Sequence, residues 1–426
     1  MNQDTIYALS SGSPPAAIAI VRVSGPAADQ ALLILAGRLP EPRRATLATL
    51  RDPGGDVLDN ALILRFPGPD SATGEDLAEL HLHGGRAVVA GVLEALRGIA
   101  GLRAAQPGEF TRRAFDNGRI DLSEAEGLAD LLTAETQSQR RNALALAGGA
   151  LSRLVERWQA RILILSAQVE AALDFADEGD VDESLPAGWR DSVAALVEEI
   201  GESLARPGVE RLRDGVRVVI AGPPNTGKSS LLNVLAGREA AITSAIAGTT
   251  RDLVEAPTAI GGAPFLLVDT AGLRDSADEI EAIGVARARD SLAAADLILW
   301  LGAPADCPDR ERAILVQSKA DITPPDLAAD VSVSATNGAG IDRLITMLSD
   351  RAATLLPQAG DVAINSRHRE AIGETTIFLS HAAEAQDPIL ASESLRQARR
   401  CLDRVTGRAG VEDMLDALFG AFCIGK

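Results

Sequence analysis

The stretch that most restricts this chain starts with an apolar run, Val216–Ala221. It continues through Gly222-Pro-Pro-Asn-Thr-Gly-Lys-Ser229 into a helical run, Ser230–Ala236. Strand, glycine-rich loop and helix in that order make a phosphate cradle. Successive backbone N–H groups wrap the phosphates, and the helix N-terminus adds its dipole. Lys228 then reaches the β- and γ-phosphate oxygens, and Ser229 is placed to bind Mg2+. Such a unit belongs in an α/β sheet. Residues 216–357 alternate the predicted strands Val216–Ala221, Pro264–Asp269, Leu297–Leu301, Ala313–Gln317 and Val331–Val333 with helical stretches, the pattern of a doubly wound domain.

Three further segments narrow the ligand. Asp269-Thr270-Ala271-Gly272 closes the second strand, where a metal-oriented carboxylate and a glycine sensing the γ-phosphate belong. Thr249-Thr250-Arg251-Asp252 lies before it, in a loop that suits a switch segment whose Thr250 closes on Mg2+. Ser318-Lys319-Ala320-Asp321 follows the strand Ala313–Gln317. In guanine-specific proteins that tetrapeptide reads Asn-Lys-x-Asp, and its Asp accepts from the guanine N1–H and 2-amino groups. Adenine offers neither donor in that arrangement. Asp321 and the stacking Lys319 are retained, while Ser318 in the Asn position weakens one ring contact. Ser334-Ala335-Thr336, after Val331–Val333, suits the loop over O6. GTP is the expected nucleotide, and its hydrolysis to GDP and phosphate the expected reaction.

Two residues bear on mechanism. Leu273 follows Gly272 directly, where Ras-type enzymes orient the attacking water with Gln, and a leucine cannot orient water. Glu279 and Glu281 are the nearest polar candidates, or else mark a solvated helix start. Asn225, inside the phosphate loop, carries an amide carbonyl suited to a monovalent cation beside the γ-phosphate.

The rest of the chain reads as two other structural types. With 426 residues, two to four domains are expected. Residues 1–115 alternate β-rich runs (Ala17–Val23, Ala61–Phe66, Leu77–Leu82) with helical stretches Ala27–Leu35 and Ala87–Ile99, an α+β pattern. From Asp121 a long helical pattern runs to Ala147, with Ser123 and Glu126 as its capping pair. Helices follow over Leu151–Phe175 and Trp189–Leu204, and again after Pro357 over Ser366–Ala385, Ala391–Arg404 and Val411–Phe422. Helical blocks on both sides of the α/β unit imply one discontinuous all-α domain with the nucleotide domain inserted. The expected boundaries are 1–118, 119–212 with 360–426, and 213–359.

Composition excludes several classes. No apolar run approaches the ~18 residues a membrane span requires, and the N-terminus lacks the basic and apolar regions of a secretory signal. Cys307, Cys401 and Cys423 show no C-x-x-C spacing, so a cytoplasmic location is expected rather than a disulfide framework or zinc site. A net charge of −19 argues against generic coating of nucleic acid. Of 41 basic residues only Lys228, Lys319 and Lys426 are lysines. In so arginine-biased a chain, these mark sites needing a compact ammonium.

GPPNTGKSSLLN, SAIAGTTRD and DTAGLRDSADEIEAIG resemble the tRNA modification GTPase family called MnmE or TrmE. DTIYALSSGSPPAAIAIVRVSG, GEDLAELHLHGG, FTRRAFDNGRIDLSEAEGLADLL and the final FCIGK, all outside the nucleotide domain, resemble it equally. The resemblance implies an N-terminal tetrahydrofolate-binding domain that dimerises, a helical domain and an inserted GTPase domain. It implies a homodimer acting with an FAD-dependent partner of the GidA (MnmG) family in a heterotetramer-type complex, without a membrane. The product that the resemblance implies is an aminomethyl-type (carboxymethylaminomethyl) group at C5 of the wobble uridine, U34, of certain tRNAs.

Carried over residue by residue, the folate (a 5,10-methylene or 5-formyl form) would meet Arg22, Glu79, Arg119, where the family usually has Lys, and Lys426. Potassium would be held by Asn225, Ser244, Ile246 and Thr249. The catalytic glutamate falls on Glu281 and the C-terminal cysteine on Cys423. The nucleotide contacts would be Asn225, Thr226, Gly227, Lys228, Ser229 and Ser230, the loop Ser244, Ala245, Ile246, Ala247, Gly248, Thr249 and Thr250, and the Asp269, Ser318 and Ser334 segments above. A nucleotide-gated ribosome-assembly or membrane-associated switch is the rival reading, and it has no use for the folate-type motifs.

Other residues carry blander readings. His81 and His83 share a strand face but lack a third ligand type. The acidic run Asp177–Glu183 lacks calcium-loop spacing and reads as solvated loop. Cys423, apart from the resemblance, suits a small buried apolar residue. Arg140, Arg141, Arg153, Arg157 and Arg161 either face tRNA or solubilise a long helix.

Overall fold

The computed structural model describes residues 4–174, 185–238, 254–269, 289–324, 326–358, 360–408, 412–420 and 422–425. The chain divides into two compact units: Met1–Ala129 with Thr406–Lys426, and Asp130–Val405. The end of the chain thus belongs with its beginning.

In the first unit, β1 (Thr5–Leu9), β2 (Ile18–Ser24), β3 (Thr46–Arg51), β4 (Val57–Phe66), β5 (Leu77–His83) and β6 (Leu102–Ala104) form one sheet in the order β3-β4-β5-β2-β1-β6. β1 and β6 run parallel, and the other neighbours are antiparallel. Period-2 alternation buries Ala19, Val21 and Val23 of β2 in a core shared with Leu32 of α1 (Ala28–Ala36) and Val92 of α2 (Arg86–Arg97). Arg22 lies between those positions and so takes the opposite face. Helix α3 (Glu109–Asp116) follows. Leu122 and Ala125 of α4 (Leu122–Thr133) pack with Phe419 of the last helix, Glu412–Gly420, and with Phe422.

The helical pattern expected to run unbroken to Ala147 is split. α4 ends at Thr133, and α5 (Gln137–Ala147) starts afresh at a capping box formed by Thr136 and Gln139. The cap of α4 also lies two residues earlier than expected. The Glu124 amide donates to Asp121 Oδ1 at 2.9 Å, and the Asp121 amide donates to Glu124 Oε2 at 2.8 Å. An aspartate caps as well as a serine, and Ser123 is already inside the first turn.

In the second unit, α6 (Ala150–Asp174) and α7 (Trp189–Ala205) are antiparallel, because Trp158 donates to Glu199 and Trp189 to the Leu165 carbonyl. The short α8 (Glu210–Asp214) leads into the second sheet. Its strands are β7 (Val216–Ala221), β8 (Val254–Ile260), β9 (Ala263–Asp269), β10 (Leu297–Trp300), β11 (Ala313–Gln317) and β12 (Val331–Ser332), in the order β12-β11-β10-β7-β9-β8. All pairs are parallel except β8–β9. α9 (Lys228–Arg238) follows β7, and α10 (Ile341–Leu355) follows β12. The chain then returns to the helical part. α11 (Ser366–Glu384) is antiparallel to α7, with Arg190 donating to the Ala383 carbonyl. α12 (Pro388–Thr406) is antiparallel to α11, with Arg367 donating to the Arg404 carbonyl. α6, α7, α11 and α12 thus build an antiparallel bundle from both sides of the inserted sheet, around a core that includes Trp158, Leu196, Ile372 and Leu395.

Candidate functional site

The sheet order reverses at β7, which has β9 on one side and β10 on the other. At such a switch point an open α/β sheet binds its ligand, beyond the carboxyl ends of the strands. The loop after β7 sits there. Gly222 has φ +146°, and a Cβ on it would come within 2.9 Å of the Leu301 backbone, so only glycine fits. Asn225 takes a left-handed conformation with φ 60°. Lys228 is buried, and its ammonium donates to the Gly222 carbonyl at 3.1 Å and the Pro223 carbonyl at 2.8 Å. Those two bonds hold its charge over the loop.

A serine–aspartate pair is assembled by register. Asp269, last in β9, lies opposite Ile220 of β7, which sets its carboxylate beside the start of α9. Ser229 Oγ donates to Asp269 Oδ2 at 2.5 Å. Both are hard oxygen donors of the kind Mg2+ prefers.

The loop after β11 is tied to the loop after β7. Ser318 Oγ donates to the Thr226 carbonyl at 2.5 Å, and the Lys319 ammonium to the Asn225 carbonyl at 2.9 Å. Lys319 is itself left-handed, with φ 58°. The Ala320 amide donates to the Val333 carbonyl, drawing Asp321 next to the loop after β12. There the buried Ser334 donates to Asp321 Oδ1 at 2.7 Å, and its Oγ accepts from the Thr336 and Asn337 amides at 3.3 Å each. One of the two Asp321 carboxylate oxygens is thus fixed in place. The expected contacts Thr270, Ala271 and Gly272, the loop Ser244, Ala245, Ile246, Ala247, Gly248, Thr249 and Thr250, and Leu273, Glu279 and Glu281 all lie outside the described residues, as do the acidic run Asp177–Glu183 and Lys426.

The first unit holds a separate cluster. Arg22 on β2 and Glu79 on β5 are register partners joined at 2.8 Å, and His81 Nε2 reaches the other Glu79 oxygen at 3.1 Å. Burial opposes ionisation of Glu79, but the hydrogen bonds from Arg22 and His81 outweigh it and hold the carboxyl below its ordinary range. The Arg22 guanidinium also lies over the Phe110 ring, 5.9 Å from its centre. Arg119 instead approaches Asp70, at 3.7 Å. His83 pairs with Asp59, and among the described residues no group of three or more His, Cys, Asp or Glu could hold a metal.

Sequence reasoning missed Arg113. Its side chain is 1% exposed and meets Asp4 at 2.8 Å, Glu75 at 3.1 Å and Glu109 at 3.1 Å. The available signal was an arginine one turn below Phe110 and beside Ala114, on the buried side of α3. In the tail, Ile424 bridges to Pro107 and Ser10 donates to the Gly425 carbonyl at 2.8 Å; Cys423 is exposed, not buried as its apolar character predicts, and lines a concavity of about 980 Å3 with Tyr7, Leu93 and Leu102.

A glycine-rich loop at the sheet's switch point, a hydrogen-bonded serine–aspartate pair beside it and a second loop carrying Asp321 define a P-loop guanine-nucleotide-binding protein with α+β and helical parts. The family described as MnmE helical domain matches residues 122–423, and that described as GTP-binding protein TrmE N-terminus matches residues 5–119. The tRNA modification GTPase MnmE of Rhizorhabdus wittichii is 59% identical over 428 residues, covering 99% of this chain and 97% of its own. Those of Erythrobacter litoralis and Zymomonas mobilis are 57% and 50% identical, each covering 99% of this chain and 100% of their own. This chain belongs to the tRNA modification GTPase MnmE family.

Proposed function

We propose that this chain, a GTPase of tRNA modification, acts with an FAD-dependent partner of the GidA (MnmG) family to add an aminomethyl-type group at C5 of the wobble uridine, using a tetrahydrofolate one-carbon unit. The observation that carries the nucleotide half is the double tie of Ser318 and Lys319 to the phosphate loop, with Asp321 oriented by Ser334. The proposed base-reading and phosphate-binding loops are tied to each other.

The Ser229–Asp269 pair fits Mg2+, and Lys228 brings its charge to the phosphates from within the loop. Mg2+ there would neutralise charge building on the phosphate oxygens. K+ is proposed at Asn225 with Ser244, Ile246 and Thr249, and Glu281 as the residue that orients water. An ionised Glu79 held between Arg22 and His81 suits the donor edge of a pterin. Arg119 and Lys426 complete the proposed folate set, with Cys423 near the chain end. Proposed boundaries remain 1–118, 119–212 with 360–426, and 213–359. A homodimer through the first unit is supported by exposed Leu47 and Leu62, cross-strand partners on the sheet face away from the helices. No helix among the described residues is long and apolar enough to cross a membrane, and a cytoplasmic location is proposed.

Mass spectrometry of wobble nucleosides tests this reading. A strain lacking the protein should lose the C5 modification, the wild-type chain should restore it, and the Ser229→Ala chain should not. An unchanged nucleoside profile in the deletion strain would overturn it.

A further inference from the structure

β8 and β9 form a hairpin whose two ends do different jobs. The open end carries Asp269, bonded to Ser229. The closed end is the two-residue turn Gly261–Gly262, with φ of +58° and +78°, the left-handed pair that a tight hairpin turn requires. Strand geometry of ~3.3 Å per residue puts the two ends about 20 Å apart.

The turn is held by α5, which belongs to the helical block that precedes the sheet. Ser138 donates both its backbone N–H (3.1 Å) and its Oγ–H (3.0 Å) to the Gly262 carbonyl. Ser138 lies in the first turn of α5, where helical N–H groups have no intrahelical acceptor. The hairpin therefore satisfies a donor that the helix cannot. The next residue adds a second tie: Gln139 Nε2 donates to the Leu212 carbonyl of α8 at 2.8 Å, just before β7. On the other side Gly261 is wedged against α10, where a Cβ would come within 2.7 Å of Ser349 Oγ. The far end of the hairpin is thus packed between α5 and α10.

We propose that the Gly261–Gly262 turn passes the state of the nucleotide site to the helical part, with Ser138 as the residue that receives it. The inference rests on the reading of the chain as a GTPase. A nucleotide that pulls on Asp269 shifts β9 along its own axis, and β9 begins one residue after Gly262, where Ser138 is bonded. The Ser138 bonds then lengthen or shorten with the nucleotide, and the first turn of α5 gains or loses the acceptor that stabilises it. Ser138 touches neither nucleotide nor metal ligand, so its loss should spare hydrolysis itself.

Hydrogen–deuterium exchange of the full chain tests this, comparing GDP with a non-hydrolysable GTP analogue, both with Mg2+. Amides of residues 137–147 should exchange at rates differing about three- to ten-fold between the two states, the range one hydrogen bond carries. Ser138→Ala, which keeps the N–H but loses the hydroxyl, should at least halve that difference while GTP turnover stays near wild type. Ser138→Thr, which keeps the hydroxyl, should restore it. Equal exchange of α5 in both states of a wild type that hydrolyses GTP would overturn the inference alone, as would a difference untouched by Ser138→Ala. Failure of the wild type to hydrolyse GTP would instead overturn the GTPase reading beneath it.

Discussion

Ser229 Oγ and Asp269 Oδ2 lie 2.5 Å apart, joining the first turn of α9 to the last residue of β9. Asp269→Asn keeps the shape but removes the charge that a divalent ion needs. Turnover should fall about 100-fold, the scale of losing one transition-state contact to developing charge. Raising Mg2+ should recover part of it. Phosphate release measured across a Mg2+ titration checks this, and a variant with wild-type turnover at ordinary Mg2+ would exclude the pair from the metal site.

Asp321 is held by Ser334 at 2.7 Å, so base choice depends on both residues. Asp321→Asn should weaken GTP about 10- to 100-fold, as expected for hydrogen bonds to a charged group. It should also favour xanthosine nucleotides, whose C2 carbonyl accepts from the Asn amide where guanine's 2-amino group donates. Ser334→Ala should show a smaller loss with no change of preference. Binding titrations with both nucleotides decide it. Ser318 is expected to leave GTP and GDP loosely held, because its one hydroxyl is already committed to the Thr226 carbonyl.

How legible this site was in the sequence depended on how local each contact is. The P-loop, Asp269 and the Ser318–Asp321 run are contiguous motifs, and β7, β9 and β11 fell within a residue of expectation because parallel buried strands read as apolar runs. β8 was missed because Pro257 argues against a strand; it is tolerated at the edge of the sheet. Arg113 was illegible for another reason. Its partners Asp4, Glu75 and Glu109 come from three separate segments, and no spacing encodes that meeting.

Removing Arg113 should be severe. Three carboxylates would lose a shared buried cation, and breaking such a group by removing one partner costs about 3–5 kcal/mol. Arg113→Met should lower the unfolding temperature and unfold the first unit first. Calorimetry showing an unshifted transition would contradict this.

The same cluster sets an acid limit. Burial pushes the Glu109 carboxyl up, but the Arg103 and Arg113 hydrogen bonds pull it further down, below its ordinary 4.5. A carboxyl depressed in the folded state adds stability that is full above the unfolded value. That stability is lost as pH falls through the folded one. Unfolding temperature should therefore drop as pH goes below 4.5. Glu109→Gln should start lower at pH 7 and fall less steeply, and a slope equal to wild type would show that Glu109 does not contribute.

The tail offers the most direct test of the folate proposal. Ile424 is bridged to Pro107 and the Gly425 carbonyl accepts from Ser10, so these two residues are fastened to the first unit. Gly425 has φ +99°, and a Cβ there would stand 2.1 Å from the Leu9 carbonyl oxygen, which is backbone and cannot give way. Gly425→Ala should therefore undock the chain end without touching the nucleotide fold. Deleting Gly425–Lys426 should do the same and also remove the proposed ammonium. Both variants should bind tetrahydrofolate more weakly and lose wobble modification, while GTP turnover stays close to wild type. Calorimetric titration with the reduced folate separates two cases. A loss confined to the deletion would assign the effect to Lys426, and a loss in both would assign it to docking. Unaltered affinity in both would remove the tail from the site.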